Sequence, residues 1–321
     1  MIDNLFMGQD GFSWFIGVVE DRNDPEKAGR VRVRCLGYHS ENLQDIPKDD
    51  LPWASIMMPV TAGGNSGIGT SSHFLLEGTW VVGFFRDPAK QEPVIMGALP
   101  GVNTKDPSDF TIASSSAVGG HSKGGGFKDP NEKYPTTKYV GKPDTNLLAQ
   151  ELVSEHASNS VKESTDSWST ASGGEIKQVK STQSSAKYPT NHVYETESGH
   201  YVEFDDTTGN ERIHIYHTKG TFVEIDSSGN VVIKTVGNVT NIVAGNMDTY
   251  VAGNYSLTCT GTMDISAAKL VTEKFDKGRK TTITGEETLE VAGNLTTTIT
   301  QLGSIKASGA MTVGGSSISF N

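Results

Sequence analysis

Gly237-Asn238-Val239-Thr240-Asn241-Ile242-Val243-Ala244-Gly245-Asn246-Met247-Asp248-Thr249-Tyr250-Val251-Ala252-Gly253-Asn254 carries the pattern on which the reading of the whole chain turns. A glycine returns every eight residues, at Gly229, Gly237, Gly245, Gly253 and Gly261. Lys269 and Lys277 fill the next two slots, Gly285 and Gly293 resume the series, and Gly309 follows a blank at Gln301. A fixed period held through gaps marks a stacked repeat architecture. Val243, Val251, Cys259, Phe275, Ile283, Val291 and Ile299 stand two places before the glycine slot. Val231, Val239, Met247, Tyr255, Met263, Val271, Leu295 and Met311 stand two places after it. Even spacing puts both sets on one face of an extended strand. Gly-Asn is expected to supply positive φ at a corner. Each octad thus reads as a short strand and a corner, with Val243, Val251 and Val291 among the inward-facing residues.

One such strand buries only two or three apolar side chains, against a backbone entropy cost of about 1–2 kcal/mol per ordered residue. The octads must therefore stack, and a thin prism made of one chain has little interior. The predicted solution is a homotrimer whose chains intertwine as a three-faced β-helix over residues 229–321. Three octads per turn use 24 residues, the interval between Gly261 and Gly285. With strands ~4.8 Å apart and three chains interleaved, the octads give a shaft of roughly 45–50 Å.

Composition narrows the class. The chain has 321 residues, with 27 basic against 38 acidic side chains and a net charge of -11, which disfavours attraction to nucleic acid or an anionic membrane. High glycine (36 residues) and modest hydrophobic content (35%) fit an all-β, turn-rich, elongated protein. Cys35 and Cys259 are too far apart to read as a disulfide framework and have no metal-ligand spacing, so assembly in a reducing cytoplasm is expected. Residues 1–15 lack a secretory signal pattern, and no apolar run approaches a membrane span.

The first hundred residues read differently. Trp14–Glu20 is a strand, turned by Arg22-Asn23-Asp24-Pro25, and residues 29–36 alternate strictly, with Val31, Val33 and Cys35 on one face and Arg30, Arg32 and Arg34 on the other. Residues 51–57, 78–85 and 93–97 supply three more strands, and 63–69 a glycine-rich loop. Five short strands predict an OB-fold barrel over residues 1–105. Trp14, Trp53, Trp80 and Phe84 could stack on bases, but with so few basic residues they read as barrel core, and the arginines as a solvated or partner-facing edge.

Trp14–Arg22, Asp24-Pro25, Gly29–Arg34, Leu51-Pro52-Trp53, Pro59, Ser66–Gly69 and Glu77-Gly78-Thr79 resemble, in order, the N-terminal domain of the central spike protein of contractile-tailed phages of the T-even type, the baseplate hub and tail lysozyme family. Related barrels occur in type VI secretion spikes. The resemblance implies a barrel that docks a trimeric spike onto a hub protein trimer at the end of the tail tube.

Residues 106–185 are rich in Ser, Thr, Gly, Lys and Glu and read as a flexible linker. Phe127, Asp129-Pro130, Tyr134-Pro135 and Asp144–Ala149 resemble the family segment that leads to its lysozyme domain, but about 40 residues separate Gln150 from the next family-like motif. They show no helical pattern and no catalytic pair of carboxylates. Glu151, Glu155, Glu163 and Asp166 read as solvated charges, so no lysozyme domain is expected. Residues 186–228 alternate between turns at Ser198-Gly199, Thr208-Gly209-Asn210, Lys219-Gly220 and Ser228-Gly229 and predict a β-meander leading into the spike. His192, His200, His214 and His217 lack ligand spacing and read as polar strand-face or interface residues. Asp205, Asp206 and Glu203 read as turn caps and surface charge. Gly64–Ile68 misses a glycine of the nucleophile elbow, and His73 and Asp87 do not complete a triad.

The sequence therefore predicts a non-enzymatic structural protein of the virion tail baseplate, assembled in the host cytoplasm, without cofactor, metal or nucleic acid. It would puncture the host outer membrane, touching it transiently, when the tail contracts. Because residues 319–321 carry no histidine tip motif, a separate tip cap protein is expected as a partner. The alternatives are a spike that retains peptidoglycan or glycan hydrolase activity, and a type VI-like secretion spike.

Overall fold

The computed structural model describes residues 13–64, 66–71, 73–100, 145–151, 167–177 and 186–318. They are all-β, with three short 3-10 turns and no α-helix. Two units divide the chain, residues 1–258 and 259–321.

The N-terminal strands are β1 (Trp14–Asp21), β2 (Val31–Cys35), β3 (Trp53–Ile56), β4 (Trp80–Phe85) and β5 (Pro93–Ala98). They close a barrel in the order β1-β2-β3-β5-β4. All pairings are antiparallel except the parallel β3–β5 seam. Alternation puts Phe15, Val19, Val31, Val33, Cys35, Ala54, Val81, Phe85 and Ile95 into one core. The interior is tight enough to demand glycine at two positions on neighbouring strands, Gly17 of β1 and Gly83 of β4. A Cβ at Gly17 would sit 2.8 Å from the Arg34 carbonyl oxygen, and one at Gly83 would sit 2.6 Å from Phe15 Cζ and closer still to the Val94 carbonyl oxygen. The core aromatics are Phe15 and Phe85. Trp80 and Phe84 are buried but lie outside this cluster, and half-exposed Trp14 meets Phe84 edge-on at 6.3 Å.

The linker reading of residues 106–185 needs amending at two places. Residues 167–177 hold a hairpin of β6 (Ser167–Ser169) and β7 (Glu175–Lys177). Residues 145–151 fasten onto the meander: Asn191 Nδ2 donates to the Leu148 carbonyl at 3.1 Å, and Asn146 Nδ2 to Glu195 at 2.7 Å. Glu151 is a tie between segments, accepting hydrogen bonds from the Tyr188 amide at 2.9 Å and from Lys187 Nζ at 3.2 Å. Glu155 and Glu163, with Asp166, lie outside the described residues, as does the family-like stretch at 127–135.

The meander is a five-stranded antiparallel sheet of β8 (Asn191–Glu195), β9 (Tyr201–Asp205), β10 (Arg212–Tyr216), β11 (Phe222–Ile225) and β12 (Val231–Lys234), in sequence order. It runs six residues beyond the predicted end at residue 228. Gly229, expected to be the first corner of the repeat, instead closes the β11–β12 hairpin at φ +77°. The Asp226 carboxylate organises that turn, accepting from the Ser228 and Asn230 amides and from Asn230 Nδ2 at 2.9 Å each.

Candidate functional site

The repeat is visible as a rhythm of bends. The backbone bends at residues 236–237, 244–245, 252–253, 260–261, 268–269, 276–277, 284–285, 292–293, 300–301 and 308–309. Gly237, Gly245, Gly253, Gly261, Gly285 and Gly293 each take the second place of a bend, and so do Lys269, Lys277 and Gln301 in the glycine-free slots. The period of eight is thus carried by the backbone through every gap.

The expected reason for the glycines is corrected. None of those six adopts positive φ, and a Cβ added to any of them meets nothing within 4 Å in this chain. The corner is made in ordinary backbone space, which is why lysine and glutamine can hold it. Between residues 235 and 318 no strand pairs with another strand of the same chain. The apolar residues also remain uncovered: Val243, Val251 and Val291 are 51%, 44% and 42% exposed, and Met247, Tyr255, Phe275, Ile283 and Leu295 lie open as well. The repeat therefore presents backbone groups without ladder partners alongside an apolar row without cover.

The meander has its polarity inverted. Its buried face carries Asn191, Glu203, Asp205, Arg212, His214 and Glu224 beside Tyr201, Tyr216 and Phe222. Its exposed face carries Tyr194, Phe204, Ile213, Ile215, Val223, Ile225, Val231 and Ile233. Glu203 and Asp205 are therefore not surface charges. Asp205 does cap the Thr207 amide, at 3.0 Å, but from a buried position. Glu203 binds Arg212 through a short ion pair, accepts from Asn191 Nδ2 at 2.9 Å and lies 3.7 Å from His214 Nδ1. Strand register brings them together, because His214 stands opposite Glu203 on one side and Glu224 on the other. Burial pushes the Glu203 pKa up, but His214, Arg212 and Asn191 outweigh it and hold the carboxyl below its ordinary value. Of the other histidines, His200 packs on His217 at 4.4 Å, and His192 is exposed 3.9 Å from Asp206.

The barrel arginines also depart from the expected solvated edge. Arg34 is fully buried, paired with both oxygens of Glu20 (Nη2–Oε2 3.0 Å), and donates to the Ser40 and Ile46 carbonyls of the loop that covers it. Arg32 lies over the Trp53 ring at 4.7 Å. Arg30 forks onto Asp24 at 2.8 and 3.0 Å and holds its carboxyl far below the usual carboxylate range. The arginines and aromatics that could have met nucleic acid are largely occupied by one another and by acids of the chain. His73 and Asp87 serve loop geometry, accepting from the Leu75 amide and from the Gln91 and Glu92 amides respectively.

The chain thus combines a closed five-stranded OB-type barrel, a five-stranded meander and an eight-residue repeat whose apolar rows are uncovered. The sequence profile of the Gp5 N-terminal OB domain matches residues 37–186. That span takes in β3, β4 and β5 and ends where the meander begins. Protein Gp5 of Vibrio phage KVP40 is 38% identical over 268 residues, covering 72% of this chain and 59% of its own length. The pre-baseplate central spike protein Gp5 of Enterobacteria phage T4 is 36% identical over 165 residues, covering 49% of this chain and 26% of its own length. The chain is a relative of these T-even-like Gp5 proteins, and it spans less than two thirds of either.

Proposed function

We propose that this protein is the central spike of a contractile-tail baseplate, a virion component whose barrel docks on a hub protein trimer and whose repeat forms a rod. Three chains intertwine, each supplying strands to the open edges of the next, and the rod is driven through the host outer membrane on contraction. The observation that carries this reading is the period-eight bend held from residue 236 to residue 309 with its apolar residues uncovered. Relatedness to a protein named as a pre-baseplate central spike supports it.

The role is structural and non-enzymatic. Among the described residues, the carboxylates nearest to a constellation are Glu203 and Glu224, and both are buried with Arg212. The decisive experiment compares native mass by light scattering with migration on SDS gels before and after boiling. A trimer that survives SDS until heated is expected, and a monomer under both conditions overturns the architecture. A peptidoglycan zymogram tests the second clause: no clearing is expected, and a cleared band at the mass of the chain makes it an enzyme.

A further inference from the structure

The docking reading leaves open which part of the barrel meets the baseplate. The geometry points to the loop between β3 and β4, which presents Val60, Ile68 and Phe74 as an apolar anchor for an uncharged slot on a separate baseplate protein. Residues 51–76 contain no Asp, Glu, Lys or Arg, in a chain that is 20% charged. Within that stretch Val60, Ile68 and Phe74 are 101%, 78% and 75% exposed. Among the described residues, the buried barrel core does not include them, so their type is not explained by the barrel's own packing.

The described residues of the loop are held at its base. The Thr70 amide donates to the Ala62 carbonyl at 3.1 Å and draws the two ends of the glycine segment together. Gly69 sits at φ +134°, where a Cβ would lie 2.6 Å from the Gly63 carbonyl oxygen and 2.8 Å from that of Ala62. Ser66 holds φ +55° between Gly63 at +64° and Gly67 at +77°. Ala62 is buried, and Leu75 packs on the barrel core. A loop fixed at its base, with aliphatic and aromatic tips and no charge, has the make-up of an interface anchor set in advance of binding.

The occupant follows from charge. The barrel groove of about 380 Å³ is lined by Arg30, Arg86 and Glu92 beside Trp53, a charged mouth that suits this uncharged loop of a second copy poorly. A bilayer is disfavoured, because the loop brings no lysine or arginine to the headgroups and the chain carries a net charge of -11. A separate protein with a dry apolar slot remains, and identifying it as a baseplate component rests on the docking reading above.

The test uses the full-length protein and the purified cognate hub protein in a titration, with Ile68→Asp and Phe74→Asp against Leu43→Asp as an exposed control on another loop. Each loop variant is expected to weaken binding by about 100-fold or more, as for a central interface anchor, while the control and all thermal midpoints stay unchanged. Ile68→Ser and Phe74→Ser repeat the measurement should an aspartate variant unfold. Wild-type affinity in the loop variants overturns the anchor and leaves hub docking intact. Failure of the wild-type protein itself to bind the hub overturns the docking reading and this inference with it. Self-association, or binding to phosphatidylethanolamine–phosphatidylglycerol vesicles, that is lost in the loop variants reassigns the surface and overturns it too.

Discussion

The barrel and the repeat use the same alternation of apolar and polar residues, with opposite outcomes. In the barrel, Val31, Val33 and Cys35 of one strand find Phe15, Val81 and Ile95 across a closed ring, and all six are buried. In the repeat, Val243, Val251 and Val291 recur at multiples of eight residues and, among the described residues, find no neighbouring strand. A strand that turns back on itself after a hairpin completes its core alone. A strand that bends every eight residues and proceeds without turning back leaves both edges open. The difference separates a domain whose core is complete within one chain from a segment whose apolar row is left open, the feature on which the proposed trimer rests.

The largest effect that could break this comparison is a charge on the inner row. Val251→Asp would place one carboxylate per chain in the apolar interior of the rod, at a cost of roughly 3 kcal/mol or more for each unpaired charge. The SDS-resistant species should vanish while barrel unfolding, followed by tryptophan fluorescence, keeps its midpoint. An assembly that tolerates the aspartate would mean that the row faces water.

A smaller effect probes the barrel. Arg34→Ala leaves Glu20 buried without its partner and removes the donors to the Ser40 and Ile46 carbonyls. Loss of one member of a buried pair is expected to cost about 3–5 kcal/mol, read as a lowered denaturation midpoint. Oligomeric state should not change. If it does, the barrel and the assembly are not independent in the way the comparison holds.

The glycines sharpen the contrast further. Gly17→Ala must push into the Arg34 backbone and the Val33 side chain, a clash worth about 1–3 kcal/mol. Gly253→Ala meets nothing within 4 Å in one chain, so within that chain the change is worth no more than about 0.5 kcal/mol. Any larger loss of trimer stability at Gly253 would locate a neighbouring chain's backbone against that corner.

These cases show what the sequence carried and where it ran out. Periodicity of two and of eight reports strands and corners directly, so the five barrel strands and the phase of the repeat were legible in the residues alone. The cause of the glycines was not, because positive φ and close backbone approach both select glycine and only coordinates separate them. Arg34 was misread because strict Val-Arg alternation is what a half-solvated strand looks like. Its partner Glu20 lies fourteen residues away, and the covering loop has no periodicity to betray it. Glu203 was misread for a related reason: polar residues at even positions imply an outward face unless a second strand brings Arg212 and His214 to meet them. Gly229 was read in two ways, as the last Ser-Gly turn of the meander and as the first corner of the repeat, and the hairpin between β11 and β12 bears out the first.

The smallest expected effect separates the two regions by acid. Asp24 in the barrel is held far below the ordinary carboxylate range by Arg30 and by the Glu26, Ala28 and Arg30 amides. A carboxyl with a depressed folded-state pKa contributes stability that is present above its unfolded value of about 3.9 and is lost as pH falls toward the folded one. Glu203 in the meander is lowered as well, so its contribution has the same sign and fades below about 4.3. The bonds that lower Asp24 all lie within residues 24–30 of the barrel, so its titration should be felt in barrel stability. Barrel stability measured by denaturant titration at several pH values between 2 and 5 should fall with acid, and Asp24→Asn should flatten that slope while leaving the acid response of the trimer unchanged. Equal slopes in the variant and the wild-type protein would remove Asp24 as the origin. A trimer that dissociates in step with the barrel would show that the closed ring and the open repeat share one cooperative unit.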